Sequence, residues 1–210
     1  MILLFPLERS VLQRERFAGT YHISAYYLAK IVSQVLINLL YPMICAIVVY
    51  WMAGLRNDAE IFFTYFATMM LSCICAQSFG VAIATATLDV AKGVTSMIVI
   101  LVSFMLVGGF FVPKDSMPEF LAEIGNISFM RWTYEVLLKN EMGGATFNCN
   151  EDFQGVRFGG GTCPVPGEAV VSATGLDEGR DLWEGIVVVS GMILAYYTMG
   201  YFFLRYLHRA

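Results

Sequence analysis

The chain has 210 residues, of which 58% are hydrophobic and only 14% are charged, and its formal net charge is −4. Soluble domains carry about 45–50% apolar and about 25% charged residues, so this composition excludes a disordered chain and disfavours an ordinary soluble enzyme. The acidic balance gives no sign of nucleic-acid binding.

Two short segments precede the first long apolar stretch. Met1–Phe5 is apolar but too short to cross a bilayer, and it fits the end of a longer helix. In Pro6–Thr20, apolar and charged residues recur at helical spacing, and Gly19 is a typical residue for a helix end. The pattern predicts a short amphipathic helix at the membrane surface. A solvated face that only anchors the following span is the alternative.

Four stretches reach the roughly 20 apolar residues that a transmembrane helix needs. They are Ile31–Ala53, Ile61–Ala86, Val94–Val112 and Ile186–Leu207. A fifth segment, Met117–Leu138, is only half apolar and predicts an interfacial or re-entrant amphipathic piece. Its charged residues are Glu119, Glu123, Arg131 and Glu135.

Basic residues near the span ends orient the chain, because cytoplasmic loops carry an excess of Lys and Arg. One side holds seven of them: Arg9, Arg14, Arg16, Lys30, Lys92, Arg205 and Arg209. The other side holds three near span ends: Arg56, Lys114 and Arg180. We therefore expect an integral multi-pass membrane protein with both termini in the cytoplasm. We expect the plasma membrane rather than an internal one, although the charge distribution does not select between them.

The cysteines fit this orientation. Cys149 and Cys163 lie in the long outer segment, where an oxidising compartment favours pairing, so we predict a disulfide between them. Two free thiols are the alternative. The other three, Cys45, Cys73 and Cys75, fall within spans, where a free Cys behaves as a small hydrophobe.

The sequence offers no catalytic or metal site. It contains no GxxxxGK[ST], HExxH, CxxC or GxSxG motif, and its two histidines lie at opposite ends of the chain. No charge falls at mid-depth in a span, which argues against a proton relay or an ion channel. Mild polar residues in the spans either join helices together or line a cavity for large amphipathic molecules.

The third span closes with the sequence Gly108-Gly109-Phe110-Phe111. The glycines permit a bend or a close helix approach. The two rings fit either an interfacial aromatic belt or a hydrophobic plug that seals a pathway.

Several motifs, in order along the chain, resemble ABC transporters of the G subfamily. They are FPLERSVLQRERFAGTYHISAYYLAK from Phe5, YWMAGL from Tyr50, GGFFVPKDSMP from Gly108, FMRWTYEVLLKNEM from Phe129, the NC…TCP cysteine pair and the closing LRYLHR. The resemblance implies an all-α polytopic membrane protein that carries spans three to six of a six-span exporter domain. A cytoplasmic coupling helix would precede them, and a large disulfide-bearing extracellular loop with a re-entrant helical segment would interrupt them.

The resemblance also implies roles for particular residues. Glu8, Glu15 and Arg16 resemble the coupling helix that contacts the nucleotide-binding domain. Ile98, Val102 and Met105 match the face of the fifth span that lines the substrate cavity, and Phe110 and Phe111 match the apolar pair that forms the valve above it. Relatives often have leucines at these two positions. Cys149 and Cys163 match the disulfide of the outer loop, which lacks the third cysteine that joins some dimers covalently.

The resemblance divides the chain into four parts: 1–20 with the coupling helix, 21–112 with three spans, 113–185 with the extracellular loop, and 186–210 with the last span. It implies an exporter of lipids or amphipathic small molecules that works by alternating access. Its partners would be the bilayer, a second half-transporter and a nucleotide-binding domain. ATP and Mg would bind that domain, so this chain would hold no cofactor and be no enzyme by itself. A truncated subunit that regulates intact transporters by dimerisation is the alternative.

Overall fold

A computed structural model describes residues 22–87, 89–111, 117–147, 165–175 and 181–206, and this part of the chain is almost entirely helical. The elements in order are α1 (Ile23–Met52), α2 (Ala59–Ala86), α3 (Val90–Val107), α4 (Glu119–Gly125), α5 (Phe129–Met142), β1 (Thr146–Phe147), β2 (Val165–Pro166), α6 (Gly167–Ala173) and α7 (Leu182–Tyr206). The two short strands pair antiparallel, with Thr146 opposite Pro166.

Helices α1, α2, α3 and α7 are each long and apolar enough to cross a membrane, which confirms the four predicted spans. Each helix begins before the predicted apolar stretch. The largest difference is in α1, which starts at Ile23 rather than Ile31 because the polar and aromatic residues between them continue the helix. Pro42 lies inside α1 without ending it, as is common in transmembrane helices.

Helix α2 lies at the centre of the bundle. In the most apolar 18-residue stretch of each span, 44% of the residues of α2 are buried, against 6% in α1, 6% in α3 and 17% in α7. The buried side chains of its second half are mostly small, and they let α7 pack closely along it. Two of them, Ser78 and Thr85, donate their hydroxyls to carbonyls of α2 itself, to Cys75 O at 2.7 Å and to Val81 O at 3.0 Å. These two buried hydroxyls are therefore satisfied within their own helix.

The segment predicted as one amphipathic piece, Met117–Leu138, is two helices. Helix α4 ends at Gly125, and α5 begins after Ser128 and extends beyond the predicted end to Met142. Helix α5 packs against α2, α3 and α7 where α1 and α3 end and where α2 and α7 begin. We call this end of the bundle the α5 end, and the end where α1 begins the far end.

Candidate functional site

Helix α3 carries the three residues predicted to line a cavity. Ile98, Val102 and Met105 follow a four- and three-residue spacing, which places them on one side of a helix. Their side chains are 57%, 47% and 42% exposed. We call them the apolar strip. Within the described part of the chain, α3 packs against its neighbours mainly through α2, α4 and α5, so the strip remains open. The cavity role of these residues stays a prediction.

Two glycines end α3 and turn the chain. Gly108 is the last residue with helical dihedrals, and Gly109 has a φ of +88°, a left-handed conformation that favours glycine. The turn releases Phe110 and Phe111 from the helix. We call these two the ring pair. Their ring centroids are 4.9 Å apart with an interplanar angle of 90°, the edge-to-face arrangement that aromatic pairs prefer.

The start of α5 holds the end of α3 in place. The Ser128 hydroxyl is buried and donates to the carbonyl of Phe104 at 3.2 Å. The rings of Phe104 and Phe129 meet edge to face at 6.2 Å. Gly125 lies so close to Val107 that an added Cβ would be 3.0 Å from the Val107 carbonyl oxygen. The last turn of α3 and the α4–α5 connection therefore pack as one unit.

A buried arginine reinforces this unit. Arg131 is 3% exposed, and its guanidinium donates to Asn126 Oδ1 at 2.6 Å. The Trp132 indole donates to the carbonyl of Asn126 at 2.8 Å. Both bonds fix the α4–α5 connection against α5. Arg131 is one of the charged residues of the predicted interfacial or re-entrant piece, and the structure buries it among protein groups.

A second polar cluster on α5 lies close to α2, and one of its members bonds to α2. Glu135 and Lys139 form an ion pair at 2.9 Å, and their side chains are only 4% and 12% exposed. The next residue along the helix, Asn140, donates its side-chain amide N–H to the carbonyl of Ile61 in α2 at 2.9 Å. Burial raises the pKa of Tyr134, the residue before Glu135 in α5. Sequence reasoning missed this cluster.

The turn between α1 and α2 is fixed to the end of α5 through Arg56. Its backbone N–H donates to Glu141 Oε1 at 2.8 Å, and its guanidinium donates to the Gly143 carbonyl at 2.9 Å. The Tyr50 hydroxyl donates to the Arg56 carbonyl. A polar cavity of about 500 Å³ opens beside this turn, lined by both acidic and basic side chains. Three of its four charged side chains are already paired, Arg56 with Asp58 and Lys139 with Glu135.

Other predicted site residues lie outside the described residues. They are Glu8, Glu15 and Arg16 of the expected coupling helix, and Cys149 and Cys163 of the expected disulfide. Their roles stay predictions. Among the residues that are described, no group of three metal-ligating side chains comes together.

Comparison with known proteins gives consistent results. Residues 1–142 match the family described as ABC-2 type transporter. The chain is 41% identical over 138 residues to ABC transporter G family member 22 of Arabidopsis thaliana, covering 66% of this chain and 18% of that protein. It is 30% identical over 207 residues to ABC transporter G family member 24 of Dictyostelium discoideum, covering 98% of this chain and 17% of that protein. A third relative, ABC transporter G family member 21 of Arabidopsis thaliana, is 28% identical over 205 residues, which are 97% of this chain and 29% of that protein. The chain thus spans less than a third of the length of these relatives.

Proposed function

Because this chain belongs to the ABC-2 type transporter family and supplies membrane-domain helices of the G subfamily, we propose that it works in an ATP-driven exporter. The exporter moves lipids or amphipathic small molecules across a membrane by alternating access. The substrate passes along the apolar strip of α3 and leaves past the ring pair, which closes the path in the resting state.

The observation that carries this proposal is the arrangement at the end of α3. An open apolar strip leads directly to two aromatic rings that leave the helix at a left-handed glycine. Exposure alone does not distinguish a path from a lipid-facing surface, because α1 is as exposed as α3. The distinguishing feature is the glycine turn that places two rings at the end of the strip, which an aromatic belt alone would not need. A strip that ends in a ring pair suits a pathway with a hydrophobic constriction.

The proposed substrate class follows from the chemistry of α3. No Asp, Glu, Lys or Arg lies between Gly93 and Phe111. A wall of aliphatic side chains and Met offers dispersion contacts and few fixed hydrogen bonds, which suits broad recognition of apolar groups. A charged headgroup would find no partner at this depth, so we place it towards one end of the path.

Transport requires two partners. A second membrane half supplies the opposite wall of the cavity, and a nucleotide-binding domain supplies the energy by binding ATP and Mg. We propose that this domain acts on residues 6–19, where Glu8, Glu15 and Arg16 lie. This chain's own contribution is the wall, the ring pair and the α5 support behind them. Opening requires contacts that differ between the two states.

The test uses the transporter that contains this chain, with its nucleotide-binding domain, reconstituted in liposomes. Replacing Phe110 and Phe111 together by Ala should raise passive leak of an amphipathic tracer without ATP and weaken the coupling of ATP hydrolysis to export. Phe120→Ala is the matched control, because Phe120 is a 72% exposed ring on α4 that makes no ring contact with Phe110 or Phe111. Unchanged leak and unchanged export in the double variant would overturn the valve role.

A further inference from the structure

We propose that Tyr134 is a positioning residue for the ring pair, holding Phe110 in the closed arrangement. The inference rests on the proposed function, because it assigns a support to the same constriction. The Tyr134 and Phe110 ring centroids are 5.7 Å apart with an interplanar angle of 88°. Together with the contact between Phe110 and Phe111, this makes three consecutive rings that meet edge to face.

Phe110 has little else to hold it. Its side chain is 65% exposed, and it follows a glycine turn rather than a helix. Within the described residues, its ring contacts are Phe111 on one side and Tyr134 on the other. Phe111 is itself 54% exposed and sits on the same turn, so it cannot fix Phe110 relative to the rest of the protein.

Tyr134, in contrast, stands on a fixed element. Its neighbours Thr133 and Glu135 are both buried, and α5 packs against three spans. The Asn140 bond to the Ile61 carbonyl of α2 and the packing against three spans restrict rotation of α5. The Tyr134 ring therefore restricts the positions that Phe110 can adopt, and it favours the one in which the ring pair closes the path.

The closed state loses one ring contact when Tyr134 is shortened. Tyr134→Leu should raise passive tracer leak roughly 2- to 12-fold, the Boltzmann factor for an edge-to-face contact of ordinary strength. Tyr134→Phe keeps the ring and should return leak to the level of the unaltered transporter. Phe120→Leu is the matched control, because Phe120 is an exposed ring on α4 and makes no ring contact among the described residues.

The decisive measurement repeats Tyr134→Leu in a Phe110→Ala background. If Tyr134 acts through Phe110, the second substitution adds no further leak there. An equal increase in both backgrounds would show another route and overturn the inference. Should Tyr134→Leu fail to yield folded transporter by gel filtration, Tyr134→Met keeps most of the side-chain length and replaces it in every arm.

These variants distinguish the valve role of the ring pair from the positioning role of Tyr134. If the Phe110→Ala, Phe111→Ala double variant causes no leak, the valve role fails and the positioning role fails with it. If Phe110→Ala causes leak while Tyr134→Leu and Tyr134→Met cause none, the valve stands and the positioning role of Tyr134 is overturned.

Discussion

Gly200 in α7 is the residue at which a single added carbon should cost the most at the far end of the bundle. It is buried where α1, α2 and α7 meet. A Cβ built there falls 2.7 Å from the Tyr27 hydroxyl oxygen and 3.4 Å from the Ala82 Cα. The Tyr27 hydroxyl cannot easily withdraw, because Tyr27 is 5% exposed and the hydroxyl donates to the Tyr197 carbonyl at 2.8 Å.

The expected magnitude follows from that one contact. Overpacking a close interface costs about 1–3 kcal/mol. For a chain of this size, about 2–4 °C of melting temperature corresponds to each kcal/mol. Gly200→Ala should therefore lower the melting temperature by about 2–12 °C.

The second substitution in the test is Tyr27→Phe, which removes the clashing oxygen. Alone it costs one hydrogen bond, about 0.5–1.5 kcal/mol. Combined with Gly200→Ala it should cost no more than it does alone, so the two changes compensate instead of adding.

The assay is thermal unfolding of the purified transporter in detergent, followed by the loss of the monodisperse gel-filtration peak. Gly191→Ala is the control, since Gly191 lies on the same helix and an added Cβ there meets nothing within 4 Å. It should be neutral or slightly stabilising, because Ala favours helix over Gly. Equal effects of the Gly200 and Gly191 substitutions, or additive costs in the double variant, would refute the packing argument.

Three further predictions concern the α5 end and the outer loop. Gly185→Ala places a Cβ against Val136 Cγ2 and should lower the melting temperature. Val136→Ala in that background should restore part of the loss, and no recovery would contradict the contact. Glu135→Ala should cost more than Asp58→Ala, up to about 3–5 kcal/mol, because it removes the carboxylate that faces the 12% exposed Lys139. Asp58→Ala breaks an exposed pair and should cost less than about 1 kcal/mol. Equal melting shifts would count against the burial of the first pair. Cys149→Ser should remove about 3 kcal/mol of stability under non-reducing conditions only; a free thiol at this position in peptide mass mapping of the unaltered protein would exclude the disulfide.

Hydropathy was sufficient to identify the spans but could not set where they begin. The count of apolar residues depends only on the local sequence, and all four spans are confirmed. The start of α1 was placed too late because Ser24, Tyr26 and Lys30 lower the local hydropathy. Aromatic and basic residues at a membrane interface nonetheless continue a helix while packing or snorkelling. Tyr27, which sequence reasoning left outside the span, is one of its few buried residues.

The central position of α2 had a signal in the sequence. Its second half contains Ser78, Gly80, Ala82 and Ala84, and small residues allow close approach between helices in a membrane. The exposed positions of α1 carry large aliphatic and aromatic side chains instead. Apolar composition alone does not separate these two helices. Side-chain size does separate them, because the small residues of α2 allow other helices to pack against it.

The burial of Arg131 and Glu135 could not be derived from their own helix. An amphipathic pattern shows that one face of α5 is polar, but it does not show whether water or protein meets that face. The partners of these two residues are Asn126 and Lys139, and the enclosing walls come from other helices. Only the tertiary arrangement decides that a charged face is enclosed.

The support of the ring pair comes from α5 and not from the span that carries it. Helix α3 is one of the two least buried spans, with 6% of its apolar window buried, and its firm contacts lie at its last turn. Helix α5 meets that turn and also packs against α2 and α7, which run the length of the bundle to the far end. Packing is therefore continuous from the far end to the ring pair, through α2 or α7 and then α5. For the proposed path, we expect substitutions on α5 to affect its closure more strongly than substitutions on the exposed middle of α3. Substitutions on the middle of α3 should instead affect which substrates pass along the path.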